Sequence, residues 1–203
     1  MRNRIALLFL LCCMSVQMTN AQDLKEAIRE HYTAVKQMIA NYAQLEADGE
    51  KYPVNECYKV KVKQNLPGTG LHEEDVLMYY SEVEGSDMVY PAHRLEYVSS
   101  SYNFAAAKYY QEYLFDKNGH ITFIYALNPN VEDGMEHEFR LYFDKGKLFD
   151  ALVKSRKVGK KEFSQDYSGK TLPLRYHTVY QKYADEIAKY GRLFEAIDGV
   201  THH

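Results

Sequence analysis

Two stretches decide how this chain is read: Glu112-Tyr113-Leu114-Phe115-Asp116-Lys117-Asn118-Gly119 and Glu138-Phe139-Arg140-Leu141-Tyr142-Phe143-Asp144-Lys145-Gly146-Lys147-Leu148. Each runs an aromatic, alternating segment into an Asp-Lys turn closed by glycine, the composition of a β-hairpin rather than a helix. A three-residue loop Lys117–Gly119 sets Phe115 opposite Ile121, Tyr113 opposite Phe123 and Tyr109 opposite Leu127. A two-residue loop Lys145-Gly146 sets Phe143 against Leu148 and Phe139 against Leu152. In that register one face becomes continuously apolar, and Asp150 falls opposite Leu141 on the apolar side, where it needs a partner such as Lys154 or His137.

The same motifs resemble the aromatic Phe-Asp-x-x-Gly and Tyr-Phe-Asp-x-Gly-Lys-Leu hairpins of exported bacterial proteins of unassigned function. The resemblance implies an envelope or secreted protein built on an antiparallel sheet, and it carries no catalytic residues with it.

Upstream, Tyr58, Val60 and Val62 alternate with Lys59, Lys61 and Lys63. This is a half-buried strand whose lysines form a solvated or edge-protecting row, or an anion-binding strip. Pro67–Gly70 is a turn, and strands follow over Glu74–Val83, Met88–Tyr90 and Arg94–Ser101. Leu24, Ile28, Tyr32, Val35, Met38, Ile39, Tyr42 and Leu45 recur at helical spacing, predicting a helix over 23–48 with Asp23 as N-cap and Gly49 at its end. Downstream, Asp166–Thr171 reads as a loop. Pro173 then opens a helix whose stripe is Tyr176, Tyr180, Tyr183, Ile187, Gly191 and Phe194, ending near Gly199. Helix, six to eight sequential strands, helix: the expectation is an α+β fold with a curled antiparallel meander sheet.

The N-terminus reads as an export signal. Arg2 and Arg4 precede an uncharged apolar run from Ile5 to Val16, and Thr19-Asn20-Ala21 offers a cleavage site before Gln22. Cleavage of 21 of the 203 residues leaves 182 in a single α+β domain, 22–203, and takes the net charge from −3 to −5. The expected location is periplasmic or extracellular, with no transmembrane span after cleavage. An acidic chain without a basic stripe points away from nucleic acid. Of three cysteines only Cys57 remains, excluding a disulfide framework. Cys57 reads as a small buried residue, or as a nucleophile if a histidine reaches it.

Motifs for chemistry are scarce. His72-Glu73-Glu74-Asp75 lacks the second histidine of a zincin helix, Gly169-Lys170-Thr171 lacks the earlier P-loop glycine, and Ser99–Ser101 lacks the glycines of a nucleophile elbow. No metal or cofactor is expected. What remains is one strand face carrying Glu136, Glu138, Arg140 and Tyr142. Such a row is the normal solvated face of a half-buried strand. Turned into a concavity, Glu138 becomes a general acid or base, with Arg140 orienting an anionic group.

The 19 tyrosines and 9 phenylalanines, with no tryptophan, suit packing between helix and sheet more than a sugar-stacking platform. The function expected is a non-enzymatic exported domain that binds a protein, an envelope polymer or a small ligand. Within that class, an inhibitor-like protein would bind a basic partner and let go as salt rises. The alternatives are a hydrolase using Glu112, Glu138, Asp150 or Cys57, and a structural subunit of the envelope.

Overall fold

The structure is a computed structural model that describes residues 2–49, 56–86, 89, 91–130 and 133–201, with side chains from 21 onward. The chain divides into two compact units, Met1–Lys51 and Tyr52–His203. The first is helix α1, Arg2–Ala47. It runs straight through Asp23, which is therefore not an N-cap: residues 2–22 contain neither Pro nor Gly to interrupt a run rich in good helix formers. Of the expected stripe Ile28 and Val35 are buried, Leu24, Tyr32, Met38, Ile39 and Tyr42 are half-buried, and Leu45 at its end is exposed. Gly49, at φ +83°, ends it, its N–H donating to the Glu46 carbonyl at 3.2 Å.

The second unit is an eight-stranded antiparallel sheet crossed by one helix. The strands are β1 (Cys57–Leu66), β2 (Gly70–Glu82), β3 (His93–Phe104), β4 (Ala107–Phe115), β5 (Ile121–Asn130), β6 (Met135–Asp144), β7 (Lys147–Lys157) and β8 (Ser164–Gly169). They lie in sequence order, β1 to β8, in a meander that does not close. A 3-10 turn at Leu174–Tyr176 leads into helix α2, His177–Thr201. This is the α+β arrangement that the order of periodicities predicts. The expected strand at Met88–Tyr90 lies outside the described residues apart from Val89.

Three local expectations are corrected. Residues 166–169 belong to a strand, not a loop, because β7 offers an open edge that a polar segment pairs with as readily as an apolar one, Tyr167 opposite Val153. Both hairpins close at the expected turns, with Phe115 opposite Ile121 and Phe143 opposite Leu148. Lys145 and Gly146 both have positive φ, as a type I′ turn requires. Past each turn, however, the register moves by one: Leu114 meets Phe123, Tyr110 meets Leu127 and Phe139 meets Val153. Each strand leaving a turn carries one extra residue, Thr122 in β5 and Phe149 in β7, and such a bulge shifts the pairing of everything beyond it. The Thr122 hydroxyl donates to the Leu114 carbonyl at 3.0 Å, bracing the first.

The shifted register builds the core. Met78, Val98, Tyr113, Ile124, Leu141 and Ala151 stand side by side across six strands, all buried. Helix α2 lies over this row. Phe139 meets Tyr176 and Tyr183 edge-on, with ring centroids 5.3 and 5.9 Å apart. Tyr113 meets Tyr190 at 5.5 Å, and Phe194 reaches both Tyr58 and Tyr80 at 5.9 Å. The buried side of α2 is Tyr183, Glu186, Tyr190 and Phe194. The stripe thus runs through Glu186 and Tyr190, and Tyr176 belongs to the preceding turn.

Candidate functional site

Alternation along β6 separates two chemistries. Phe139, Leu141 and Phe143 enter the core under α2, while Glu136, Glu138, Arg140 and Tyr142 share the opposite face. The neighbouring strands extend that second face: Arg140 stands beside Tyr125, which stands beside Glu112, and Glu138 stands beside Leu127, which stands beside Tyr110. Four strand residues with carboxylate or phenol groups thereby share the face that bears Arg140, and two of them, Glu138 and Tyr125, touch its guanidinium.

The row is not a uniformly solvated one. Glu138 is only 7% exposed, and Glu112 and Tyr142 are also buried. Glu138 divides its oxygens between two donors: Arg140 Nε at 2.9 Å on Oε1, and the Tyr125 hydroxyl at 3.4 Å on Oε2. The Arg140 guanidinium also lies 5.8 Å from the centre of the Tyr125 ring. Tyr110 donates to Glu112. Burial, and then the charge of Glu138, pushes the Tyr125 phenol up to about 12, so it stays a donor across the physiological range. Burial pushes Tyr110 up as well, with Glu112 adding to it.

The four residues of the row do different jobs. Glu136 pairs with Arg156 at 2.5 Å. Tyr142 is packed between Phe123 and Phe149, ring centroids 5.0 and 6.4 Å away, and forms the floor beside the pair. Only Arg140 combines a fixed position with a substantial exposed surface, 39% of its side chain. Asp150 faces Tyr142 and not Leu141, because the Phe149 bulge moves it to this second face, half-buried. It therefore does not intrude into the core.

Cys57 is a free, half-buried thiol. Burial pushes it up, opposed by Tyr79, Lys59 and the Met78 backbone; among the described residues no histidine is one of the groups acting on it. That is the reverse of the environment that makes a thiolate. The lysine row of β1 faces acids on β2, with Lys61 on Asp75 at 3.1 Å and Lys63 on Glu73 at 2.9 Å. Among the described residues no three His, Cys, Asp or Glu side chains are grouped to hold a metal ion. No helix among them is long and apolar enough to cross a membrane.

The sequence reading missed a second polar cluster, under α2. Glu186 accepts from the Tyr113 hydroxyl at 2.5 Å, with Lys182 3.9 Å away. Glu74 accepts from Ser100, Lys189 and Tyr190, each at 3.1 Å. The fully buried Tyr183 hydroxyl has no hydrogen-bond partner among the described residues. The signal was spacing alone: Glu186 stands three residues after Tyr183 and four before Tyr190, inside the stripe.

The two acids respond oppositely to their surroundings. Burial pushes Glu186 up, against the pull of Tyr113 and Lys182. Glu74 is held below the usual carboxylate range, Lys189, Tyr190 and Ser100 together outweighing its burial. Raised in the fold, Glu186 supports stability fully below the unfolded carboxyl pKa and loses that support as pH rises through its folded value. Lowered, Glu74 supports stability above the unfolded pKa and loses it as pH falls. Glu186→Gln is therefore expected to stabilise the protein at neutral pH, the gain vanishing in acid. Glu74→Gln is expected to destabilise at neutral pH, its deficit shrinking in acid. Denaturant melts of both variants across pH 3–8 check the pair, and parallel curves would remove the assignment.

Comparison with protein-family models, with curated proteins and with solved structures finds no match to this chain.

Proposed function

We propose that this chain is an exported, non-enzymatic binding domain in which Arg140, held in place by buried Glu138, takes an anionic group of its partner. The observation that carries this reading is the Glu138–Arg140 pair: one end is buried, the other is exposed, and Nε is committed at 2.9 Å. A guanidinium has five donors in a rigid plane, and fixing the Nε edge orients the rest toward whatever approaches. Fixing it beforehand also removes part of the ordering cost of binding.

The same geometry favours binding over proton transfer. Both oxygens of Glu138 are engaged, and Glu112 already accepts from Tyr110. The signal-like pattern of residues 1–21 supports export. The partner classes that fit are a protein, an envelope polymer or a small ligand, each presenting a carboxylate or similar anion.

Titrating the protein with succinate, at ionic strength matched by chloride, tests the site by the NMR resonance of the Arg140 Nε–H. The resonance is expected to shift with succinate, and the remaining perturbations to disappear in Arg140→Gln. No response, or an equal response to chloride alone, overturns the assignment. Intact mass of exported material, expected to begin at Gln22, tests the location separately.

A further inference from the structure

One end of the sheet, where β1, β3, β5 and β7 finish, gathers the features of a surface-binding rim. Three large apolar side chains are exposed there: Leu71 at 49%, Phe104 at 50% and Val158 at 63%. Leu71 and Phe104 stand on adjacent strands, and Val158 lies four strand spacings beyond Phe104, about 19 Å. Between and around them are exposed Lys108, Lys157, Lys160 and Lys161. Two of the described acids at this end are held by cations, Glu73 by Lys63 and Glu136 by Arg156. Asp133, which accepts from the Met135 N–H, and Glu162 are exposed, so the four exposed lysines outnumber the unpaired acids among the described residues. At the opposite end acids and lysines alternate, Asp116 beside Lys117 and Asp144 beside Lys145.

The rim is built stiffly. The Asn103 side chain donates to the Leu71 carbonyl and accepts from the Glu73 N–H, both at 2.7 Å, tying β2 to the tip that bears Phe104. In the β7–β8 turn the Arg156 guanidinium lies 4.1 Å from the Phe163 ring centre and donates to the Lys161 carbonyl at 3.1 Å. The Val158 N–H donates to the Gly134 carbonyl at 2.9 Å, and Gly159, at φ +84°, makes the turn that leaves Val158 outward.

We propose that this rim docks on a lipid surface bearing anionic phosphate headgroups, with Phe104, Leu71 and Val158 entering the interface and the lysines lying on the phosphates. Lysines near an anionic bilayer attract it individually and fade with salt. Apolar side chains at the tips add burial in the headgroup region. A soluble polyanion would use the lysines and leave the three apolar tips without a role. The rim does not involve Arg140, so it stands or falls apart from the ligand reading above.

Flotation of the full chain with vesicles tests it, comparing equal phosphatidylcholine and phosphatidylglycerol with phosphatidylcholine alone. Binding is expected only to the first and is expected to weaken with salt. Lys157→Glu/Lys160→Glu/Lys161→Glu should lower partitioning about a hundredfold, and Phe104→Ser or Val158→Asp severalfold. Lys117→Glu/Lys145→Glu, at the other end, should leave it unchanged. All variants carry the same N-terminal helix, so differences report the rim, and circular dichroism melts confirm that each is folded. Partitioning indifferent to the triple change overturns the proposal. So does sensitivity to the lysines alone, with polyphosphate bound equally by wild type and Phe104→Ser, which would make the rim a polyanion site.

Discussion

Phe139→Ala is expected to lower stability by about 3–5 kcal/mol and the melting temperature by roughly 10 °C, the largest effect of any single truncation considered. Phe139 is buried on β6 at the point where α2 begins to cross the sheet. Its ring receives Tyr176 and Tyr183 edge-on, at interplanar angles of 90° and 72°, from the turn and the helix respectively. Removing the ring costs its transfer energy, leaves a cavity between β-sheet and helix, and dissolves two aromatic contacts at once. Denaturant unfolding measures the loss. A cost below about 1 kcal/mol, the range of ordinary surface changes and mild repacking, would mean that α2 is not seated on β6.

Arg140→Met should cost about 2–4 kcal/mol, because it leaves Glu138 buried with its main counter-charge gone. The exposure of Arg140 keeps the figure below that of a fully buried pair. Glu138→Met/Arg140→Met should recover most of the loss, since two apolar side chains can occupy this face without either charge. A full double-mutant cycle by chemical denaturation reads the coupling. If the double change costs the sum of the two single changes, the pair is not a unit and Glu138 does not position Arg140. The double variant has a further use: it is expected to be stable yet unresponsive to succinate, separating loss of binding from loss of fold.

The turn chemistry of Asp116–Gly119 and Asp144–Gly146 was readable because Gly and Asp at a hairpin tip meet a backbone requirement that few other residues satisfy. The bulges at Thr122 and Phe149 were not, since an extra residue in a strand looks like any other strand residue; hence Tyr113, Tyr109 and Phe139 each received the wrong opposite residue. β8 was hidden for a different reason. Ser164-Gln165-Asp166-Tyr167-Ser168-Gly169 has no alternation or strand composition, and it is a strand because β7 has an edge to pair with. That Glu136, Glu138, Arg140 and Tyr142 share a side follows from period two alone. How deeply each is buried depends on what surrounds the face, and alternation carries nothing about that. Glu186 and Glu74 were missed because a carboxylate in an apolar stripe is normally read as solvent-facing; here tyrosine hydroxyls and lysines make its burial tolerable.

The strictly sequential order of the sheet bears on how it assembles. Every strand pairs only with its neighbours in sequence, so each closure spans a short loop and costs little chain entropy. The sheet can zip from any of its hairpins, and its contact order is low for so large a β-structure, which favours rapid folding. Helix α2 is the exception: Tyr58 and Asp198, joined at 2.8 Å, lie 140 residues apart. With the Phe194 ring 5.9 Å from that of Tyr58, this reach-back ties the last element to the first strand, the one closure among the described residues of the unit that spans most of its length.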